Sequence, residues 1–330
     1  MPREGPLLVA LAFAACAVVA CGGDDDPTGS GPIGVASDLV VVSGDGQRVA
    51  TRSETLEPFV VKVTDGHGNP IRRVEVVWEV TAGGGTLSST ETDTDGFGEA
   101  LVYLTAGATE VENTVTATAD TLNSSPATFT VNAVAPASIT VVSGNDQMGR
   151  VGQRVAEPLV VEVLGTDNQP LPGATVLWDA SAGGGGTMFP GGTPTDAEGL
   201  AGSLLTFGNF ATPYTITAKI QTDLSLETSF NARATQPETV EVLMQNNSFV
   251  APSGGRNVTI LLGDMVQWRN LDNNAHTATS DTEPENGQSF DSGQMAQGAT
   301  YTFTPNVRGQ WIYHCENHPA SMNNAQVNVE

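Results

Sequence analysis

One unit is written twice in this chain, 100 residues apart, and it is written in strands. Val41-Val-Ser-Gly44 returns as Val141-Val-Ser-Gly144, and Glu57-Pro-Phe-Val-Val-Lys-Val63 as Glu157-Pro-Leu-Val-Val-Glu-Val163. Trp78 returns as Trp178, Gly83-Gly-Gly85 as Gly183-Gly-Gly185, and Thr94-Asp95 as Thr195-Asp196 after one inserted residue. So many coincidences in one register mark a duplication. Within the first copy Val74, Val76, Trp78 and Val80 alternate with Glu75, Val77 and Glu79; within the second, Val176 and Trp178 alternate with Thr175 and Asp179. A period of two puts each apolar set on one face of a strand. Asp65-Gly-His-Gly-Asn-Pro70 and Asp167-Asn-Gln-Pro170 supply turn chemistry between such strands. His67 lies in the first of these turns and reads as an exposed polar residue.

Composition agrees with an all-β chain of two or three domains. The 330 residues include 37 glycines and 19 prolines, and long stretches of helical periodicity are absent. A net charge of -24 with 13 basic residues argues against nucleic acid as a partner.

The first residues are a targeting segment and stay outside fold reasoning. The apolar stretch from Leu7 to Ala20 is short for a membrane span and ends in Val18-Val-Ala-Cys21. That ending resembles the lipobox of bacterial lipoproteins, which implies removal of residues 1–20 and acylation of Cys21. Residues 21–35, rich in Gly, Asp and Pro, read as a flexible tether. Of the three cysteines, Cys16 falls in the apolar stretch and Cys21 takes the lipid, leaving Cys315 alone in an exported protein. A lone exported thiol needs protection from oxidation, and a metal provides it.

Residues 36–134 and 137–234 resemble the bacterial Ig-like domains of the invasin/intimin group. The shared features are the Asn-Pro or Gln-Pro turn, the alternating run ending in Trp, the glycine cluster, and Thr-Asp followed by Gly98-Glu-Ala100 or Gly199-Leu-Ala201. The resemblance implies tandem seven-stranded sandwiches acting as stalks or adhesive segments on a cell surface, with spacer the favoured role.

The repeat stops at Glu238, and chemistry begins. Cys315-Glu-Asn-His318-Pro-Ala-Ser-Met322 puts a thiolate, an imidazole and a thioether on one short loop after the strand-like run Gln310-Trp-Ile-Tyr-His314. That mixture of donors suits copper. A second imidazole completes the set, and His276 in Asn273-Asn-Ala-His-Thr-Ala-Thr279 is the candidate. His314 adjoins Cys315 on a strand and therefore points to the opposite face. Zinc, the other metal for Cys-Xaa-Xaa-His, rarely takes thioether.

Residues 238–330 resemble the small blue-copper proteins, the cupredoxins of the plastocyanin/amicyanin kind. The resemblance rests on Gly263-Asp264 before Val266-Gln-Trp268, Asn-Xaa-Xaa-His276-Thr277, Phe290-Asp-Ser-Gly293, Tyr301-Thr-Phe-Thr-Pro305 and Tyr313-His-Cys-Xaa-Xaa-His-Pro319. It implies a Greek-key β-sandwich with one copper, held by His276, Cys315 and His318 and weakly by Met322. It also implies that the Thr277 N–H faces the Cys315 sulfur. The loop departs from the family at one point: three residues, Pro319, Ala320 and Ser321, separate His318 from Met322, where familiar members have two or four. Met295, the other methionine near these motifs, reads as core.

Together these features describe an exported, lipid-anchored electron carrier, with two Ig-like spacers and a cupredoxin, and not an enzyme. Four histidines in the whole chain are too few for a multicopper active site. The expected partner is a redox protein such as a c-type cytochrome or an oxidase, met at the periplasmic or outer cell surface. Residues 238–330 hold three arginines, no lysine and ten acidic residues, a balance of about -7, which either complements a basic partner or simply continues the acidity of the whole chain. The alternative is a structural or adhesive surface lipoprotein that only binds or stores copper.

Overall fold

The structure is a computed structural model describing residues 34–180 and 184–330. The signal segment, Cys16, Cys21 and most of the tether lie outside the described residues. The fold is all-β: no helix occurs among the described residues.

Each repeat is a sandwich of two sheets around its own core. In the first, Ala36–Ser43, Phe59–Asp65 and Glu99–Val102 form one sheet. Gln47–Ala50, Ala127–Val134, Glu112–Thr118, Glu75–Ala82 and Glu91–Asp93 form the other in that order. The second repeat has the same order for its main strands. The seven strands implied by the resemblance are cut into ten segments in the first copy. One cut has a clear cause. At Gly44 (φ +93°) the chain leaves one sheet for the other, and a Cβ there would sit 2.2 Å from the Pro58 carbonyl oxygen. Gly144 makes the same crossing, 2.3 Å from the Pro158 oxygen. The conformation and the close approach both demand glycine.

The repeated motifs are hydrogen-bonding devices. The Thr94 hydroxyl is buried, donating to the Ile71 carbonyl at 2.7 Å and accepting from the Val74 N–H at 2.9 Å. Thr195 does the same with Leu171 and Ala174. Asp95 and Asp196 each accept two backbone N–H groups across the following turn. The alternating run buries Val76 and Trp78 and exposes Glu75 and Glu79, as a period of two requires. Trp78 and Trp178 each donate the indole N–H to a neighbouring threonine, Thr92 and Thr193, and pack against Phe129 and Phe230.

Residues 239–329 form a third sandwich. Phe249–Val250, Thr239–Met244, Met265–Asn270 and Thr300–Phe303 make one sheet. Val258–Ile260, Ala325–Val329, Gly309–His314 and Thr279–Thr282 make the other. Trp268 lies at its centre, stacked on Phe290 with centroids 4.9 Å apart and edge-on to Tyr313 at 5.2 Å.

Both joints between units are fixed by specific contacts. At the first, Arg48 pairs with Asp167 at 2.6 Å, the Ala50 N–H donates to Pro172 O at 2.9 Å, and Ala50 and Val134 pack into the second core. At the second, the guanidinium of Arg150 grips Asp264 through two nitrogens, at 2.6 and 2.8 Å, and also donates to Gln236 O. Arg150 and Asp264 are 7% and 2% exposed. Asp264 also accepts the N–H groups of Glu238 and Leu261, so its charge is fully partnered.

This joint orients the third domain. Strand Met265–Asn270 starts beside Asp264, and strand Gly309–His314 starts beside Arg308, which donates to Arg154 O in the second repeat. Each strand runs about 20 Å away from the joint before its loop. Removing one member of a buried ion pair strands the other. Arg150→Ala is therefore expected to lower the stability of the third domain by about 3 kcal/mol and to open residues 235–238 to protease. Denaturant unfolding and limited proteolysis of the full chain check this; unchanged stability and unchanged cleavage would refute the fixed joint.

Candidate metal centre

The two strands that leave the joint deliver His276 and Cys315 to the opposite pole. After Asn270 the first strand ends in a short loop held by one buried side chain. Asn270 donates to the carbonyls of Asn274 (2.7 Å) and Met295 (2.8 Å), while its oxygen accepts the Asp272 N–H (2.8 Å). His276 then pairs with Met295 through both backbone hydrogen bonds, at 3.2 and 2.8 Å. Met295 is buried in the core, which accounts for that methionine as packing.

The second loop closes on itself. The His318 N–H reaches Cys315 O at 3.2 Å, the Met322 N–H reaches His318 O at 2.9 Å, and the Cys315 N–H reaches Met322 O at 2.8 Å. The three residues between His318 and Met322 therefore make one tight turn. It returns the Met322 backbone to Cys315 and leaves Pro319, Ala320 and Ser321 exposed. Met322 is fully buried in the same core cluster as Cys315. The turn accommodates the unusual spacing without displacing Met322 from that cluster.

Three donors meet between the loops. His276 Nδ1 and His318 Nδ1 each lie 3.7 Å from Cys315 Sγ, and all three ligand atoms fall within 4.8 Å. The imidazole rings are 4.7 Å apart, tilted by 51°. Metal bonds of about 2.3 Å to sulfur and about 2.0 Å to nitrogen, at tetrahedral to trigonal angles, leave about 3.5–3.7 Å between sulfur and nitrogen. The observed separations fit a bound ion. Cys315 and His276 are fully buried, and His318 is half-buried. One thiolate, two imidazoles and a neighbouring methionine form a set chemically suited to copper.

Thr277 links the loops twice. Its N–H points at Cys315 Sγ (3.2 Å), and its hydroxyl oxygen accepts the Glu316 N–H (2.9 Å). Asn317 adds a clasp, donating to Ala275 O at 2.8 Å and exchanging hydrogen bonds with the Gln294 amide. His314 turns the other way and pairs with Asp281 at 2.7 Å on the adjacent strand. His67 is exposed in its turn, far along the chain from this pole. Tyr313, two residues before Cys315, is fully buried; loss of solvent pushes its phenol well above the ordinary range and keeps it neutral.

Sequence reasoning missed Asp272, whose Oδ2 lies 3.0 Å from His276 Nε2. It also missed Asn270 and Asn317. A carboxylate four residues before a histidine is a signal only on a helix, and this segment is a loop.

Residues 41–132 match the family described as the bacterial Ig-like domain (group 1). No curated protein matches the chain. Among solved structures, the D0-D1 domain of intimin is 17% identical over 61% of this chain and 99% of that one, with a TM-score of 0.26. The Yersinia pseudotuberculosis adhesin InvE is 17% identical with a TM-score of 0.31, the match covering 62% of this chain and 61% of InvE. A point mutant of amicyanin in its Cu(I) form is 22% identical over 28% of this chain and 82% of that one, with a TM-score of 0.24. These neighbours fall into the two groups that the sequence resembles.

Thr277→Val keeps the shape of the side chain but withdraws the acceptor from the Glu316 N–H. It should cost about 1–3 kcal/mol, whereas Thr277→Ser should cost much less. Denaturant unfolding of metal-free protein measures both, and equal stabilities would show that the hydroxyl contributes nothing.

Proposed function

We propose that this protein is an exported, lipid-anchored electron carrier whose two Ig-like domains hold a one-copper centre at the far end of an arm. The observation that carries the reading is the buried Cys315 sulfur with an imidazole nitrogen at 3.7 Å on each side and a backbone N–H at 3.2 Å. His276, Cys315 and His318 would hold the copper, with Met322 as the weak fourth donor. Bound there, copper supplies one-electron exchange between its two common oxidation states.

The protein's own contribution is to fix the donors beforehand. Thr277 holds the sulfur by its N–H, and the Cys315–Met322 turn fixes the spacing of the second loop. Four donors from the chain leave no position for a substrate, so the centre is a carrier's and not an enzyme's. His318, half-buried between exposed Asn317 and exposed Pro319, is the side from which an electron would pass. The acidic balance of residues 238–330 supports a basic redox partner such as a c-type cytochrome, or an oxidase. The family match supports an exported setting, and the lipobox-like Val18-Val-Ala-Cys21 supports the anchor.

The match to an Ig-like family favours one other reading: a structural or adhesive surface protein that merely binds or stores copper. It predicts copper uptake without reversible reduction by a protein donor. Adding Cu(II) to the full chain is expected to produce an intense blue thiolate-to-copper band, lost in Cys315→Ser. A colourless protein, or colour that survives Cys315→Ser, would sink the copper centre; a blue protein that no reduced cytochrome can bleach would favour storage. Met322→Leu is expected to keep the colour and raise the reduction potential, and an unchanged potential would remove Met322 from the set.

A further inference from the structure

The imidazole of His276 is fully buried, and its two nitrogens face different partners. Nδ1 looks at the Cys315 sulfur (3.7 Å), and Nε2 looks at Asp272 Oδ2 (3.0 Å). A carboxylate accepts and never donates when ionised, so Nε2 carries a proton and Nδ1 is the nitrogen left to offer a lone pair to a metal. Burial leaves no water to satisfy Nε2 in another way.

Asp272 is itself held at three points. The backbone N–H groups of Asn246 (2.8 Å) and Asn247 (2.9 Å) donate to its two oxygens. Both asparagines have left-handed backbone, φ +56° and +51°, which aims two successive N–H groups into one concavity. Asn270 holds the Asp272 backbone at the third point. Three N–H groups thus converge on the Asp272 carboxylate, those of Asn246, Asn247 and the His276 ring. A negative charge therefore stands behind one proposed ligand. Among the described residues no carboxylate is bonded to the His318 ring.

We infer that Asp272 is the positioning residue of this centre, fixing the His276 lone pair toward the metal position and biasing the bound metal toward its more highly charged, oxidised state. This inference rests on the copper reading above. Partners of ligand histidines change metal binding by about tenfold or more when altered. Asp272→Asn removes the charge and keeps a carbonyl oxygen for Nε2–H and the Asn247 N–H, at the loss of the acceptor for the Asn246 N–H. It is expected to raise the preference for Cu(I) over Cu(II) by about tenfold, equivalent to about 59 mV for one electron.

The test uses the full chain, wild type and Asp272→Asn, with two readouts. In metal-free protein, nitrogen–proton correlation spectra of the imidazoles should show His276 protonated at Nε2; protonation at Nδ1 overturns the positioning role. In protein titrated with copper, the Asp272→Asn variant should stay blue with a raised potential; a blue variant with the wild-type potential overturns the charge role. A wild-type protein that shows no blue band defeats the copper reading, and the charge role with it. The metal-free spectra still decide the positioning role.

Discussion

Two hydrogen bonds from one residue, Thr277, hold the ligand loops in register. Its N–H meets the Cys315 sulfur, and its hydroxyl meets the next N–H along, that of Glu316. The first loop leads into Thr279–Thr282 and the second leaves Gly309–His314, two strands paired in one sheet. Where that ladder ends, side-chain and sulfur bonds continue it. A slip of one residue would turn His314 inward and Cys315 outward, because neighbours on a strand face opposite ways. The Thr277 contacts, the Asn317 clasp and the buried Asn270 all oppose such a slip.

The same logic governs the two repeats. Each repeat uses its recurring turns to satisfy backbone groups: Thr94 and Thr195 inside, Asp95 and Asp196 at the edge. The ends of the units then serve a second purpose. The turn Asp167–Pro170 receives Arg48, and the turn Gly263–Asp264 receives Arg150. The two joints differ in kind. The Arg48 pair is partly exposed, its side chains 23% and 41% accessible, so its Coulomb energy is small and the packing of Ala50 and Val134 carries that contact. The Arg150 pair is buried, and there the geometry of the ion pair itself matters.

Local patterns are legible in the sequence, and long-range ones are not. The alternation at Val74–Val80 reveals a strand and its inward face, because period-two burial follows from backbone geometry alone. Cys315 and His318 read as a pair since they share one loop, and His276 follows through the resemblance of its surroundings. His314 separates from Cys315 by the same strand geometry. Asp272 stays hidden because its role depends on where the 246–247 turn lands, 25 residues upstream. Arg150 stays hidden for a similar reason: its partner Asp264 is 114 residues away, and nothing near either residue announces the other. One of the cuts that make ten segments of seven strands depends on how Gly44 approaches Pro58, a contact that the local pattern does not announce.

The Arg150–Asp264 pair also has a mechanical meaning. It locks rotation as well as bending, because a two-point grip between planar groups resists twist. The third domain thus keeps one bearing with respect to the second, and the half-buried edge of His318 keeps one heading. The angle at which the His276, Cys315 and His318 cluster is presented is thus written partly outside the third domain, in an arginine of the repeat before it.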